Sequence, residues 1–231
     1  SSTDRVTRVE DMTGPTHKQF SVAFVFIAAI VLFEKGIFTL LLTTNQPNYW
    51  LALILMMPIA KVGAKFPDWD QDWQYINERS VASFIVNKLI HLTGGRHRSW
   101  QTHSLDITLW LCFASLTVPD MLIAEGIVSS VNGKFLYIIT VAFMSGWLSH
   151  DYSDMLNGVG IRIFFWSRKT IAFVPKKFLG IHFKTGEAWE SWNYFIIRRI
   201  NIALGIITII YPFARQQILQ YVDMLINNIW R

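Results

Sequence analysis

The chain has 231 residues, of which 52% are hydrophobic and 16% charged, with a mean hydropathy of +0.32; an average soluble domain carries about 25% charged residues. This composition excludes a disordered or acidic scaffold and argues against a purely soluble enzyme, because so large an apolar excess is buried against lipid as well as against protein. Lys and Arg (21) outnumber Asp and Glu (16), giving a net charge of +5 that suits nucleic acid or an anionic membrane according to where the charges sit, and the single Cys112 rules out a disulfide framework.

Five apolar segments approach the ~20 residues needed to cross a bilayer, at 20–42, 48–66, 105–124, 134–150 and 195–213. They predict an all-α integral membrane protein with about five transmembrane helices. No internal repeat or soluble linker divides the chain, so 1–231 reads as one domain. No cleavable signal pattern precedes the first span, which is expected to be retained. Glu34 and Lys35 fall inside that span and read as an internal ion pair or a lipid-shielded kink.

Of the 21 basic residues, 16 fall in 1–19, 65–104 and 162–199, while TTNQPN after the first span carries no charge. Short loops rich in Lys and Arg stay in the cytoplasm, so the N-terminus and these two loops are expected there, in a multi-pass protein of the cytoplasmic (inner) membrane. The tail 214–231 then emerges on the other side or lies flat on the surface. The stretch 161–184 interleaves aromatic and basic residues, fitting either a short β-hairpin or a segment in the headgroup layer. Membrane lipid is the favoured partner of that stretch, and nucleic-acid binding is not expected. Most of the ten tryptophans lie near predicted helix ends, as an interfacial belt does.

Histidines and acids gather at the ends of these spans. His17 precedes the first, Asp68, Asp70 and Asp72 follow the second, His97 and His103 precede the third, and His150, Asp151 and Asp154 end the fourth. On the topology set by Lys and Arg alone, all of them fall at the cytoplasmic ends of different helices. Imidazole and carboxylate are ligands for divalent cations, and His150 and Asp154, four apart, share one helical face. In an extended Pro-Asp-x-Asp turn, Asp68 and Asp70 point to the same side, where a cation relieves their repulsion. His97 is expected on the loop and His103 in the first turn of the third span, with Ser104 or Thr102 as its cap. Asp106 either joins the site or caps the helix. A lone interfacial His or Asp is more often merely solvated; four such clusters on one face make a shared metal site the better reading. His91 and His182 lack acid neighbours and read as surface residues. No GxGxxG, P-loop, GxSxG or CxxC motif supports dinucleotide, nucleotide, serine-hydrolase or thiol chemistry.

At these residues the sequence resembles the YdjM-like family of membrane-bound metal-dependent hydrolases, also described as LexA-binding, inner-membrane-associated hydrolases. The resemblance is carried by Thr16-His17, Pro67-Asp68-x-Asp70, His97-Arg98-x-x-x-Thr102-His103-Ser104, His150-x-x-x-Asp154 with Gly158 and Gly160, and a late Thr185-Gly186-x-x-x-Glu190. It implies an ester hydrolase acting by metal-activated water, with two or three divalent ions, zinc in the first place and Mn2+ or Mg2+ as alternatives. The ligands are then His17, Asp68, Asp70, His97, His103, His150 and Asp154, with Glu190 a further ligand or a residue behind one. Asp72, in an unusually acidic context, stays open as a ligand.

The ligand pattern is also distantly similar to that of zinc-dependent phospholipase C, which implies a phosphoester substrate. On this reading Asp70 or Asp154 takes the proton from water, Arg98 offsets negative charge on the substrate, and Lys176 and Lys177 hold headgroups of an amphiphilic phosphoester. The alternatives are a non-enzymatic metal sensor or transporter, and a membrane-tethered adaptor that binds a cytoplasmic protein through 162–199.

Overall fold

The structure is a computed structural model that describes residues 14–37, 47–76, 79–96, 98–156, 160–174, 177–178, 181–182 and 188–229. Six helices are found among them: α1 (Gly14–Glu34), α2 (Pro47–Gly63), α3 (Val81–Leu92), α4 (Leu105–Ala124), α5 (Ser130–Met155) and α6 (Ala188–Ile229). All but α3 are long and apolar enough to cross a membrane. The five spans expected from the sequence are therefore present, with shifted ends. The first begins at Gly14 and takes in His17, the fourth continues through Asp154, and the last begins at Ala188 and takes in Glu190. In each case the polar residues that seemed to end the span are part of the helix, because they point at other helices and not at lipid. Positions 38–42 lie outside the described residues, and the 214–231 segment continues α6 as a helix to Ile229.

α5 is the central post. It packs against α1, α2 and α4, while α6 packs on the far side of α1. Val25, Ala29, Leu32, Met56, Tyr137 and Ala142 are among the buried residues where α1, α2 and α5 meet. Small residues let α2 and α5 approach closely: Gly146 lies against Ala60 and Ala64, and Gly63 against the Phe143 backbone, the kind of approach that small residues allow between membrane helices. A methyl group at Gly146 would stand 1.9 Å from the carbonyl oxygen of Ala60. That approach also brings the Ala64 carbonyl, at the C-terminal end of α2, to 2.8 Å from Nδ1 of His150.

The opposite end of the bundle is pinned by ion pairs between helices. Glu34 takes a two-pronged contact from Arg215 of α6, at 2.6 and 3.0 Å, and a hydrogen bond from Tyr211. Lys35 instead pairs with Asp120 of α4 at 3.2 Å and donates to Tyr137. The expected Glu34–Lys35 pair is thus corrected. Adjacent residues at a helix end diverge and reach different neighbours.

The stretch from 161 is a hairpin. β1 (Ile161–Arg162) pairs antiparallel with β2 (Thr170–Ile171), and a second short pair follows, β3 (Lys177–Phe178) with β4 (Ile181–His182). The first hairpin is tied to the start of α4: Arg162 N donates to His103 O, and Phe165 N to the Asp106 carboxylate. Asp106 also accepts from Ser104 Oγ and Ile107 N. It therefore stabilises the α4 N-terminus and the hairpin, and does not face the histidines. Ser104 is the N-cap residue, though its side chain makes no cap bond, and His103 lies two residues before the helix starts.

Substituting Gly146 by Val forces α2 and α5 apart and should lower the thermal unfolding temperature in lipid nanodiscs by several degrees, since overpacking of this kind costs about 1–3 kcal/mol or more. An unchanged transition would show that the close approach is not needed.

Candidate metal centre

His17, Asp68, Asp70, His103, His150, Asp154 and Glu190 all lie at one end of the bundle, carried there by α1, α5 and α6, the turn after α2 and the residues just before α4. His97 lies outside the described residues, as do Gly158, Lys176, Thr185 and Gly186. The end of α2 runs through Phe66, in helical conformation, into a 3-10 turn at Pro67–Asp70 and not into an extended one. In a 3-10 turn residues two apart point in different directions. The two carboxylates accordingly diverge, which corrects the expectation that both face the same side.

Asp70 is wholly buried behind His103. Its Oδ2 accepts from Thr102 Oγ1 at 2.5 Å and Arg98 N at 2.9 Å, and stands 3.2 Å from His103 Nδ1. The Arg98 donation comes from a backbone held at φ 59°, a left-handed conformation that a non-glycine residue adopts at a cost of about 1–3 kcal/mol. Asp68 faces the other way: its Oδ1 is 3.8 Å from His150 Nε2, and its side chain keeps 30% exposure. Asp72 is exposed at the start of the next short turn, away from the cluster.

Each of the three imidazoles has its Nδ1 against a polar partner. His150 donates from Nδ1 to Ala64 O. His17 Nδ1 meets Ser153 Oγ, whose own proton goes to His150 O at 2.9 Å, so that the hydroxyl accepts and the imidazole donates. His103 Nδ1 lies against Asp70 and Thr102. With each Nδ1 committed, each Nε2 faces Asp154. His103 Nε2 is 3.6 Å and His150 Nε2 3.7 Å from Asp154 Oδ2, His17 Nε2 is 3.9 Å from Oδ1, and His103 and His150 stand 3.3 Å apart through their Nε2 atoms. The rings of His17 and His150 are stacked, their centroids 4.1 Å apart.

These side chains are at most 2% exposed, and both oxygens of Asp154 are buried with no hydrogen bond among the described residues. A buried carboxylate that accepts no hydrogen bond is costly. A cation among these atoms removes the cost. Four ligands held tetrahedrally at about 2.1 Å from a zinc-sized ion lie about 3.4 Å from one another. The triangle of His103, His150 and Asp154, with sides of 3.3, 3.6 and 3.7 Å, is close to one face of such a tetrahedron. His17, Asp68 and His150 form a second group whose ligand atoms lie within 4.8 Å of one another. His150 has one nitrogen to give, so the two groups cannot both use it.

The sequence names Asp151, Thr16 and Glu190 but does not reveal their partners. Asp151 is buried and accepts from Thr108 of α4, fixing α5 against α4 one residue from His150. Thr16 donates to Glu190 at 2.8 Å, which joins α6 to α1 beside His17. The Thr and Ser residues next to the histidines were the available signal, since metal-bound imidazoles need partners on their other nitrogen. Arg98 reaches the cluster from the open side, with Nη2 3.7 Å from Asp154 Oδ2 and Nη1 donating to Gly160 O.

Burial lowers the pKa of His103, but the neighbouring Asp70 carboxylate, with Asp154 and Asp151, outweighs it and raises the value to about 8. In metal-free protein the imidazole should therefore remain protonated at neutral pH and titrate near 8 by NMR, above the usual ~6.5. Asp70→Asn should bring the midpoint down. A midpoint at or below 6.5 in the unaltered chain would contradict the arrangement.

Among known proteins, the profile of the YdjM inner membrane protein family matches residues 12–222, a stretch that contains every residue of the cluster. No curated protein and no solved structure matches the chain.

Proposed function

The chain belongs to the YdjM inner membrane protein family, and from that premise we propose that it is a metal-dependent hydrolase acting on a phosphoester of an amphiphile at the cytoplasmic face of the membrane. The observation that carries the reading is the convergence of three oriented Nε2 atoms on the Asp154 carboxylate. Donor chemistry of this kind suits zinc, with Mn2+ or Mg2+ as alternatives. His103, His150 and Asp154 would hold one ion, and His17 and Asp68, beside them, would contribute to a second. Asp70 would orient His103 through Nδ1, the arrangement in which a carboxylate fixes the tautomer of a ligating imidazole. Glu190, bonded to Thr16, would support His17 from behind.

An ion bound here supplies Lewis acidity, which lowers the pKa of water and polarises a phosphoryl oxygen. The chain supplies the rest. Arg98 would pair with a phosphate oxygen through its planar guanidinium, held at the edge of the cluster by Gly160 O and by its own backbone contact to Asp70. Asp68, the most exposed acid of the cluster, would hold an ion through the oxygen that faces the histidines and accept the proton of the attacking water on its other one, in place of Asp70 or Asp154. Asp70 is filled with donors and Asp154 is central to the ligand set, which leaves both better suited to holding than to proton transfer. Burial of the imidazoles excludes bulk water.

An amphiphilic substrate is supported by a cavity of about 380 Å³ floored by α5 and walled by α2 and α4, lined by Ile59, Leu111, Val118, Leu136, Phe143 and Met144. Met144 lies six residues before His150, about 9 Å along the helix axis, with Trp147 between them on the same side. A hydrocarbon tail in this cavity would leave its headgroup near the cluster. The cytoplasmic placement rests on the basic residues of 65–104 and 162–199, which flank this end of the bundle.

Two measurements test the reading. Purified protein should contain bound zinc by elemental analysis, and Asp154→Ala should lose it. Hydrolysis of bis-p-nitrophenyl phosphate and of labelled phospholipid should stop with chelator and return with added metal. Arg98→Ala should keep its metal and lose about 10²–10³-fold in kcat/KM, with Lys restoring little of it. Turnover that ignores chelator, or an Asp154→Ala variant with full metal, would overturn the proposal; metal uptake into proteoliposomes without hydrolysis would favour a carrier.

A further inference from the structure

α3 is amphipathic the wrong way round for a helix on a water-facing loop. Its buried side carries Ser83 and Asn87 with Ile90, whereas Val81, Phe84, Ile85, Leu89 and Leu92 point outward. The outermost line, Val81, Ile85, Lys88 and Leu92, follows the spacing of a single helical face, and its end members are 78% and 81% exposed. Twelve residues span about 18 Å as a helix, too short to cross a bilayer.

The inner polar face has a specific task. Asn87 Nδ2 donates to Trp69 O at 2.7 Å and to Gln71 O at 2.8 Å, the two carbonyls on either side of Asp70. The helix is set at its start by a reciprocal pair of bonds between Ser80 and Ser83. α3 therefore grips the turn that carries Asp68 and Asp70, and presents to its surroundings a face that water disfavours.

We propose that α3 lies in the plane of the membrane, its outer face seated in the boundary between hydrocarbon and headgroups, and that this seating holds the Pro67–Asp70 turn in place. Lipid is the occupant for two reasons. The span that begins at Trp50 runs to Asp70, so the turn gripped by α3 is itself at the membrane boundary and the apolar face continues the lipid-facing surface of the bundle. Its charge also fits an anionic surface: α3 contains no acid, and the exposed Arg79, Lys88 and Arg96 surround the apolar line. The Lys88 ammonium lies 5.6 Å from the Phe84 ring centre, its stem along the apolar face and its charge free to rise to headgroups. The inference does not depend on any hydrolytic activity.

Spin labels test it on the full chain in nanodiscs of phosphatidylethanolamine and phosphatidylglycerol. In a Cys112→Ser background, single cysteines replace Ile85 and Leu92, with Phe113 on the exposed side of α4 as the lipid reference and Asp72 as the water reference. Collision rates with oxygen and with a water-soluble nickel chelate should place 85 and 92 on the lipid side, near Phe113. Preference for the nickel reagent at both positions would overturn the proposal, and so would exclusion of both reagents with spin–spin broadening, which would mean that a second copy covers the face. The coupling is read separately by amide exchange. Ile85→Asp with Leu92→Asp should speed exchange at 69–71 at least tenfold while leaving α5 protected; unchanged exchange at the turn would show that α3 does not hold it.

Discussion

The charge balance around Asp154 is the constraint on which this end of the molecule depends. A carboxylate buried among three imidazoles, accepting no hydrogen bond among the described residues, is tolerated only when positive charge lies within a few ångströms. In the metal-free chain the Arg98 guanidinium, 3.7 Å from Oδ2, and a proton on His103 supply that charge. A divalent cation does the same with more charge and with directed bonds, and binding it displaces the proton. The surrounding architecture serves this point. Close packing of α2 on α5 at Gly146 sets the Ala64 carbonyl against His150, the hairpin holds His103 by its backbone, and Ser153 turns His17 inward.

The two ends of the bundle use charge differently. Around Asp154 the groups are deeply buried, with the Nε2 atoms of three imidazoles aimed inward. At the other end Glu34 with Arg215 and Lys35 with Asp120 are paired directly and partly exposed. Paired groups of the second kind contribute modestly to stability and need no ligand. Groups of the first kind are placed where they could hold a metal ion.

Much of this was legible in the sequence because a membrane simplifies the problem. Span lengths, the asymmetry of Lys and Arg, and the recurrence of His and Asp at alternate span ends were enough to place His17, Asp68, His103, His150 and Asp154 at one end. Two things were hidden. Span boundaries were drawn where polar residues began, yet His17, Asp154 and Glu190 are inside helices, because hydropathy does not tell lipid from protein as a neighbour. α3 is not legible as a helix within the 65–104 loop, since twelve residues fall short of a span and its polar side faces inward. The split between Asp68 and Asp70 was also invisible: it depends on the turn being 3-10, although the residue before a proline usually avoids helical conformation.

The most direct test of the central claim is X-ray absorption spectroscopy at the zinc edge on zinc-loaded protein in lipid nanodiscs. The expected spectrum has four or five N and O ligands near 2.0–2.1 Å with more distant scattering from imidazole rings. That imidazole signature should be lost when His103 and His150 are both replaced by Ala. A spectrum of hydrated zinc without imidazole scattering, or one unchanged by the double substitution, would contradict the claim.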